Sequence, residues 1–470
     1  MNWTLFIPEM TMLLATAICL ALACRKPDPR RDYGAALVLA VAGVAAAAAS
    51  IAANGELFHH AYRVDLFSQA FKVCLALGFF LIVCLCDRLD GIAAERHGEF
   101  YGLLALSTLA MMLLVSSTHL LAVYLSLELS SYSLYVLVFM RRQSRWGMDA
   151  GLRYFLVGIC ASAVMLFGMA LIYGATGTLH LDALGGLMPQ DLRQPAMAAG
   201  VLLTLGGFFF KLAVFPFHVW APDAYQGAPN QVAAFIATAS KVAAVAVLIR
   251  VTAPMHAMGD LLAKGLIALA ILSMTAGNLA AIAQKDFKRL MAFSSIAHAG
   301  YLMIGILCLT PAGYLGAGFY VVAVLIMKFT CFMVMVKVAA DGRNLRIDEL
   351  AGLHRRAPLL AMALMLALFG LAGIPPTIGF TGKLLIFKAA MDQGYLFLVV
   401  IAMINVVISL YYYLMVLKAA YLDEPAGPAP ELTLSLPGRI LALAMITLIV
   451  AVGFYPTALM DLVYAATHGL

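Results

Sequence analysis

Residues 208–229 read FFFKLAVFPFHVWAPDAYQGAP. Lys211 sits in a strongly apolar run, and Pro216 interrupts the same run five residues later. An ammonium at the centre of a bilayer costs roughly 2.5–3.5 kcal/mol on insertion scales. Proline donates no backbone hydrogen bond and clashes with the carbonyl four residues back, here that of Leu212. A chain that keeps both defects together in an apolar helix has a use for them, and the surrounding sequence says what kind of helix this is.

The chain has 470 residues, of which 64% are hydrophobic and only 11% charged. A soluble protein carries about 25% charged residues, so this composition belongs to a polytopic membrane protein. About 20 apolar residues make a span, and on that rule there are 14 candidates. They lie near 3–24, 33–53, 64–86, 99–117, 119–140, 151–174, 196–220, 230–251, 261–283, 290–309, 312–338, 358–388, 394–421 and 437–463. The first, MNWTLFIPEMTMLLATAICLALAC, has no basic residue ahead of its apolar stretch. It therefore reads as a retained helix rather than a signal peptide, with its N-terminus outside.

The loops test the count. Those after odd-numbered spans carry 17 basic residues, including Arg25, Lys26, Arg88, Arg141, Arg142, Arg145, Lys288, Arg289, Arg343 and Arg439. Those after even-numbered spans carry 4: Arg63, Arg193, Arg250 and Lys264. Positive charge collects on cytoplasmic loops, which places both termini outside. The formal charge of +6 follows from this bias and is no signal for nucleic acid. The longest exterior connection is TLHLDALGGLMPQDL (178–192), and the loop LDEPAGPAPELTLSL (422–436) is proline-rich. None of the eight cysteines forms a CxxC pair, and they read as small apolar residues rather than zinc or iron–sulfur ligands.

Two halves of the sequence echo each other. Lys211 near Pro216 in span 7 is matched in span 12 by GIPPTIGFTGKLLIF, where Pro375 and Pro376 precede Lys383. Glu128 in span 5 and His298 in span 10 are lone titratable groups in otherwise apolar helices. Both pairings join spans five apart, and a five-helix unit repeated once returns inverted. Inverted repeats with broken helices at the working site are a transporter architecture. The expected fold is an all-α polytopic membrane protein of about 14 helices, with two inverted five-helix repeats and helices 7 and 12 broken. The expected units are 1–98 (helices 1–3), 99–255 (helices 4–8), 256–422 (helices 9–13) and 423–470 (a loop and helix 14).

Charges inside spans pair, titrate or reach water. Glu128, Lys211 and Lys241 lie near helix middles, and Lys383 lies in the second half of span 12. Burial favours the neutral form of each, while an opposite charge favours the ionised form. A lysine held between these influences can lose and regain a proton, which is what a proton relay needs. Pro216 would free the Leu212 carbonyl beside Lys211, and Pro375 and Pro376 would free those of Leu371 and Ala372, giving small hydrated pockets; a simple packing kink is the alternative. Lys337 reads as snorkelling to the surface. Lys72 has no obvious partner and fits either role, and His298 is equally a hydrogen-bonded core histidine.

The stretch FKLAVFPFHVWAPDAYQGAP, with LSLEL (125–129) before it and SSIAHAGYL (294–302) after it, resembles the antiporter-like membrane subunits of respiratory complex I. IPEM (7–10), YFLVG (154–158), the lysine of GFTGKLLIF (379–387) and INVVISLYYYLMV (404–416) make it most similar to the subunit N branch of bacterial NADH:quinone oxidoreductase, counterpart of mitochondrial subunit 2. The resemblance implies a Glu–Lys pair between spans 5 and 7 and further relay lysines in spans 8 and 12, at Glu128, Lys211, Lys241 and Lys383. Arg153 stands where related chains can have lysine; arginine keeps its proton, so its expected role is electrostatic. Gln226 stands where the pattern has glutamate. Lys328 has no counterpart in the pattern and reads as an added relay group or a contact for a neighbouring subunit.

The implied function is that of a proton-translocating subunit of a translocase, with no redox centre in this chain. NADH, FMN, iron–sulfur clusters and quinone are then expected in partner subunits. The expected neighbours are subunit M and small helical subunits, in the bacterial inner membrane, with both termini periplasmic. Two alternatives remain open: a subunit of a Mrp-type sodium/proton antiporter or membrane-bound hydrogenase, and a scaffold that seals a membrane arm without carrying protons.

Overall fold

The computed structural model describes residues 3–141, 145–185, 195–255, 260–425 and 432–469. Arg142, Arg193 and parts of two loops named above (186–192 and 426–431) lie outside the described residues. The chain folds into helices α1 (Ile7–Ala23), α2 (Pro29–Ala49), α3 (Leu66–Cys84), α4 (His97–Ser116), α5 (Leu120–Phe139), α6 (Arg145–Thr176), α7 (Pro195–Leu212), α8 (Trp220–Gly227), α9 (Asn230–Ala237) and α10 (Ala239–Thr252). There follow α11 (Asp260–Ile282), α12 (Phe287–Leu307), α13 (Pro311–Val338), α14 (Leu353–Arg356), α15 (Pro358–Ala372), α16 (Ile378–Asp392), α17 (Leu396–Tyr421), α18 (Leu436–Phe454) and α19 (Thr457–His468). Thirteen described helical segments, with α9 and α10 counted together, are long and apolar enough to cross a membrane. The consecutive short helices α15 and α16 occupy the stretch expected to be span 12, and α15 is a shorter apolar helix.

Basic loops gather at one pole. There Arg141 reaches the Gln226 and Gly342 carbonyls, Gln231 reaches that of Arg88, Asn230 reaches that of Arg343, and Lys337 binds Asp87. The opposite pole carries a hairpin that the sequence reading missed, β1 (Gly55–Leu57) paired with β2 (Tyr62–Val64). Its turn uses three successive left-handed residues, Phe58, His59 and His60. The last element also departs from expectation. One helix was expected over 437–463, but the chain breaks between α18 and α19 at Tyr455-Pro456, where proline has no N–H to continue the ladder.

The segment Asn230–Thr252 is wholly buried and forms the axis of the molecule. Against it pack α3, α4, α7, α12 and α13. Its apolar run predicts one continuous span. The structure breaks it at Thr238 (φ −116°, ψ −90°), whose hydroxyl donates back to the Ala234 carbonyl at 2.7 Å. Lys241 therefore stands in the first turn of a new helix rather than mid-helix.

Candidate functional site

The end of α7 is a Schellman cap. The Ala213 N–H donates to the Phe210 carbonyl at 2.9 Å and the Val214 N–H to that of Phe209 at 2.8 Å. Ala213 is left-handed (φ +60°), a conformation usually left to glycine. The end of α15 repeats the pattern: Gly373 (φ +86°) donates to Gly370 at 3.0 Å, and Ile374 donates to Phe369 at 2.9 Å. In both places a cis X-Pro bond follows, at Phe215-Pro216 and Pro375-Pro376. The sequence places both prolines inside apolar runs long enough to be continuous helices. Instead, each helix has already ended before its proline is reached.

Buried carbonyls at a broken end need donors. Trp220 Nε1 donates to the Phe210 carbonyl at 3.1 Å, and Lys241 Nζ donates to the Lys211 carbonyl at 2.9 Å. Lys383 Nζ donates to the Leu371 carbonyl at 2.8 Å and the Ala372 carbonyl at 3.0 Å, the two groups expected to be freed by Pro375 and Pro376. The Lys211 carbonyl was not foreseen as an acceptor. The Lys241 ammonium also lies 5.3 Å from the Trp220 ring and that of Lys383 lies 4.9 Å from the Tyr301 ring.

Glu128 and Lys211 are both buried, but Lys211 Nζ is turned to the hydroxyls of Ser130 (2.9 Å) and Ser131 (3.0 Å) on α5 rather than to the carboxylate. The Ser162 hydroxyl of α6 donates to Glu128 Oε1. Glu128 and the Lys211 ammonium are thus each held by serine hydroxyls.

In the second half, Lys328 Nζ donates to the Met291 carbonyl at 2.9 Å and to Ser294 Oγ at 2.6 Å. Ser294 shares a hydrogen bond of 2.5 Å with the Tyr413 hydroxyl. His298 Nε2 lies 3.1 Å from that hydroxyl, and His298 Nδ1 lies 2.7 Å from the Tyr320 hydroxyl. Lys328, Ser294, Tyr413, His298 and Tyr320 thus form one unbroken buried chain across α12, α13 and α17. Ser294, Tyr320 and Tyr413 were not singled out from the sequence. The only hints were SSIAH and the triple tyrosine at 411–413.

Arg153 lies apart from these groups. Its side chain is 67% exposed and pairs with Asp223 at 2.6 Å. Asp223 also receives Arg289 at 2.9 Å, and the same Arg289 nitrogen donates to Gln226 Oε1 at 3.1 Å. Glutamine at 226 removes a charge yet still accepts from Arg289.

Residues 117–409 match the family model described as "NADH:quinone oxidoreductase/Mrp antiporter, TM". A protein of Syntrophobacter fumaroxidans named NADH-quinone oxidoreductase subunit N 2 is 58% identical over 471 residues, covering 100% of both chains. One of the same name from Opitutus terrae is 42% identical, over 97% of this chain and 96% of its own. A chain of respiratory complex I from Thermus thermophilus superposes with a TM-score of 0.85 at 34% identity, covering 97% of this chain and 99% of that one. A chain of the Mrp complex from Dietzia superposes with a TM-score of 0.88 at 22% identity, which shows the shared fold. The chain belongs to the NADH:quinone oxidoreductase/Mrp antiporter family of membrane subunits, among the subunits N of the quinone oxidoreductases.

Proposed function

We propose that this chain is a proton-translocating membrane subunit of a NADH:quinone oxidoreductase and that its buried lysines carry the protons. The observation that supports this most is the unbroken chain from Lys328 through Ser294, Tyr413 and His298 to Tyr320. Each of its links contains a group able both to give and to accept a proton. In the first half, the buried ammonium groups of Lys211 and Lys241 are tied together through the Lys211 carbonyl.

Lys211 is the proton-holding group of the first half. Swinging its ammonium from Ser130 and Ser131 onto Glu128 closes an ion pair and moves positive charge away from Lys241. Opening the pair returns that charge and favours release of a proton from Lys241 toward the second half, where Lys383 is the corresponding group. Arg153 acts only through its charge. Redox chemistry belongs to partner subunits, which hold NADH, FMN, iron–sulfur clusters and quinone. Neighbouring subunits of the membrane arm, subunit M among them, and lipid cover the outer faces.

The chain lies in the bacterial inner membrane. Its basic pole faces the cytoplasm, and its hairpin pole and termini face the periplasm. Residues 99–255 and 256–422 act as inverted halves flanked by 1–98 and 423–470. The test is Lys211→Ala and Glu128→Ala in the assembled complex. Proton translocation per electron should fall in both; full translocation in both ends the relay reading.

A further inference from the structure

Lys72, for which the sequence offered no partner, is fully buried on α3, and its Nζ lies 2.7 Å from Oε1 of Glu9 on α1, also fully buried. The same oxygen accepts a hydrogen bond of 2.5 Å from the Tyr62 hydroxyl of β2, and the Lys72 ammonium lies 5.3 Å from the Tyr62 ring. Glu9 Oε2 has no hydrogen-bond partner among the described residues. A buried Glu–Lys contact is therefore closed in this structure, but in the N-terminal three-helix unit rather than at Glu128–Lys211.

The pair lies near one pole. Glu9 is in the first turn of α1, and Lys72 is six residues into α3, about 9 Å at 1.5 Å per residue. The hairpin that supplies Tyr62 covers it from that side. Among the described residues, the polar groups around it include Ser116 of α4 beside the Tyr62 hydroxyl, Gln69 of α3, which donates to the Ser50 carbonyl at 2.8 Å, and the charges of Asp65 and Arg250. Arg250 stands on α10, the helix that begins at Lys241's turn. It donates to the Val115 carbonyl and to Asp65, the N-cap of α3, both at 2.8 Å. The hairpin end of the central helix is thus fastened to the helix that carries Lys72.

We propose that Glu9, Lys72 and Tyr62 form a proton-release station at the outer end of the central helix. The inference rests on the translocation reading above. With the pair closed, the carboxylate is ionised and the ammonium holds one proton. A proton arriving along the axis binds Glu9 Oε2, giving a carboxylic acid beside an ammonium and one positive charge in excess. The acid then gives that proton up past Tyr62 to the outer side, and the ion pair closes again. Only the O–H bond forms and breaks. Arg250 keeps its proton and is a positioning residue.

The test compares three variants of the whole complex in membrane vesicles, reading quinone reduction and proton translocation together: Lys211→Met, the neutral double variant E9Q/K72M, and Tyr62→Phe. Lys211→Met reports on the underlying relay; if it pumps normally, that reading fails first. If it is impaired, assembled E9Q/K72M should translocate at least twofold fewer protons per electron. Tyr62→Phe, which leaves the pair closed, should slow release two- to fivefold. A normal ratio in assembled E9Q/K72M overturns the station and leaves the pair a clamp between α1 and α3. Should the double variant not assemble, normal release in assembled Tyr62→Phe overturns it equally.

Discussion

The ammonium of Lys241 donates to the backbone carbonyl of Lys211, 2.9 Å away. Lys383 does the same to the carbonyl of Leu371 at 2.8 Å. Both carbonyls lie two residues before a left-handed residue, Ala213 in one case and Gly373 in the other. The two breaks are therefore alike in register, cap and cationic donor. Each ammonium sits at the C-terminal end of a helix, where the macrodipole and the unpaired carbonyls favour positive charge. The break supports the lysine as much as the lysine satisfies the break.

Lys241→Met removes the donor and leaves the Lys211 carbonyl buried without it, a cost of about 1–3 kcal/mol. The assembled complex is expected to melt at lower temperature and to lose most of its proton translocation. Lys241→Arg should restore stability but not translocation, because arginine keeps its proton. Melting and pumping measured on the same preparations separate the two effects.

Tyr413→Phe cuts the chain between Ser294 and His298 while keeping the buried ring. Losing the hydroxyl leaves Ser294 and the His298 nitrogen each one partner short, a cost of about 1–3 kcal/mol. Translocation per electron should drop several-fold with the complex still assembled. Tyr412→Phe, whose hydroxyl instead donates to Asn278 Oδ1 at 3.0 Å, should leave translocation nearer to the wild type. Equal pumping by Tyr413→Phe and the wild type removes the chain from the mechanism.

These residues show where the sequence was legible. Spans and loop charges follow from hydrophobic length and positive-inside bias, so 13 of the 14 expected spans and the two poles could be read directly. Lys211, Lys241 and Lys383 stood out because a charge in an apolar run is costly. Tyr413, Ser294 and Tyr320 did not, because hydroxyls are common in apolar helices and only packing shows which of them meet. Glu9 was hidden for another reason. It lies in the first turn of a helix, where a carboxylate is ordinary, and its partner is 63 residues away. The break at Thr238 carries neither glycine nor proline, so no local signal announces it.

The two left-handed caps differ by one methyl group, and that difference is measurable. At Ala213 the conformation costs about 1–2 kcal/mol for an L-residue. Ala213→Gly should stabilise the assembled complex slightly, by up to about 1 kcal/mol once the freer unfolded glycine is counted. Gly373→Ala meets the same strain, and its Cβ would stand 3.0 Å from Lys383 Cδ. It should destabilise by about 1–2 kcal/mol, shift Lys383 and lower translocation. Opposite signs in melting temperature are the expected result; the same sign for both contradicts this account of the caps.

Asp223 is held by two arginines that are not equivalent. Arg153 is mostly exposed, and such pairs contribute about 0–1 kcal/mol. Arg289 is more buried and joins α12 to Asp223 and Gln226 together. Arg153→Gln is expected to change translocation less than twofold, and Arg289→Gln to weaken assembly clearly. A larger loss in Arg153→Gln would give that charge a direct role in the relay.

Asp65 joins the hairpin pole to the central helix and makes that junction sensitive to acid. Burial alone would raise its pKa, but the Arg250 guanidinium and the Ser68 backbone and hydroxyl outweigh burial and hold it below the usual 3.8. A depressed carboxylate stabilises the fold above its unfolded pKa, about 3.9, and that contribution is lost as pH falls through the lower folded value. Asp65→Asn keeps the N-cap, since asparagine caps as well as aspartate, but removes the charge facing Arg250. The variant should be less stable at neutral pH by about 1 kcal/mol, the difference between a charge-assisted and a neutral acceptor for the buried Arg250 guanidinium. The gap to the wild type should narrow as acid protonates Asp65 in the native protein. Thermal dissociation of the two complexes, followed from neutral pH down to about pH 3, should show the curves converging at the acid end; a gap that stays constant would mean that Asp65 works as a cap alone.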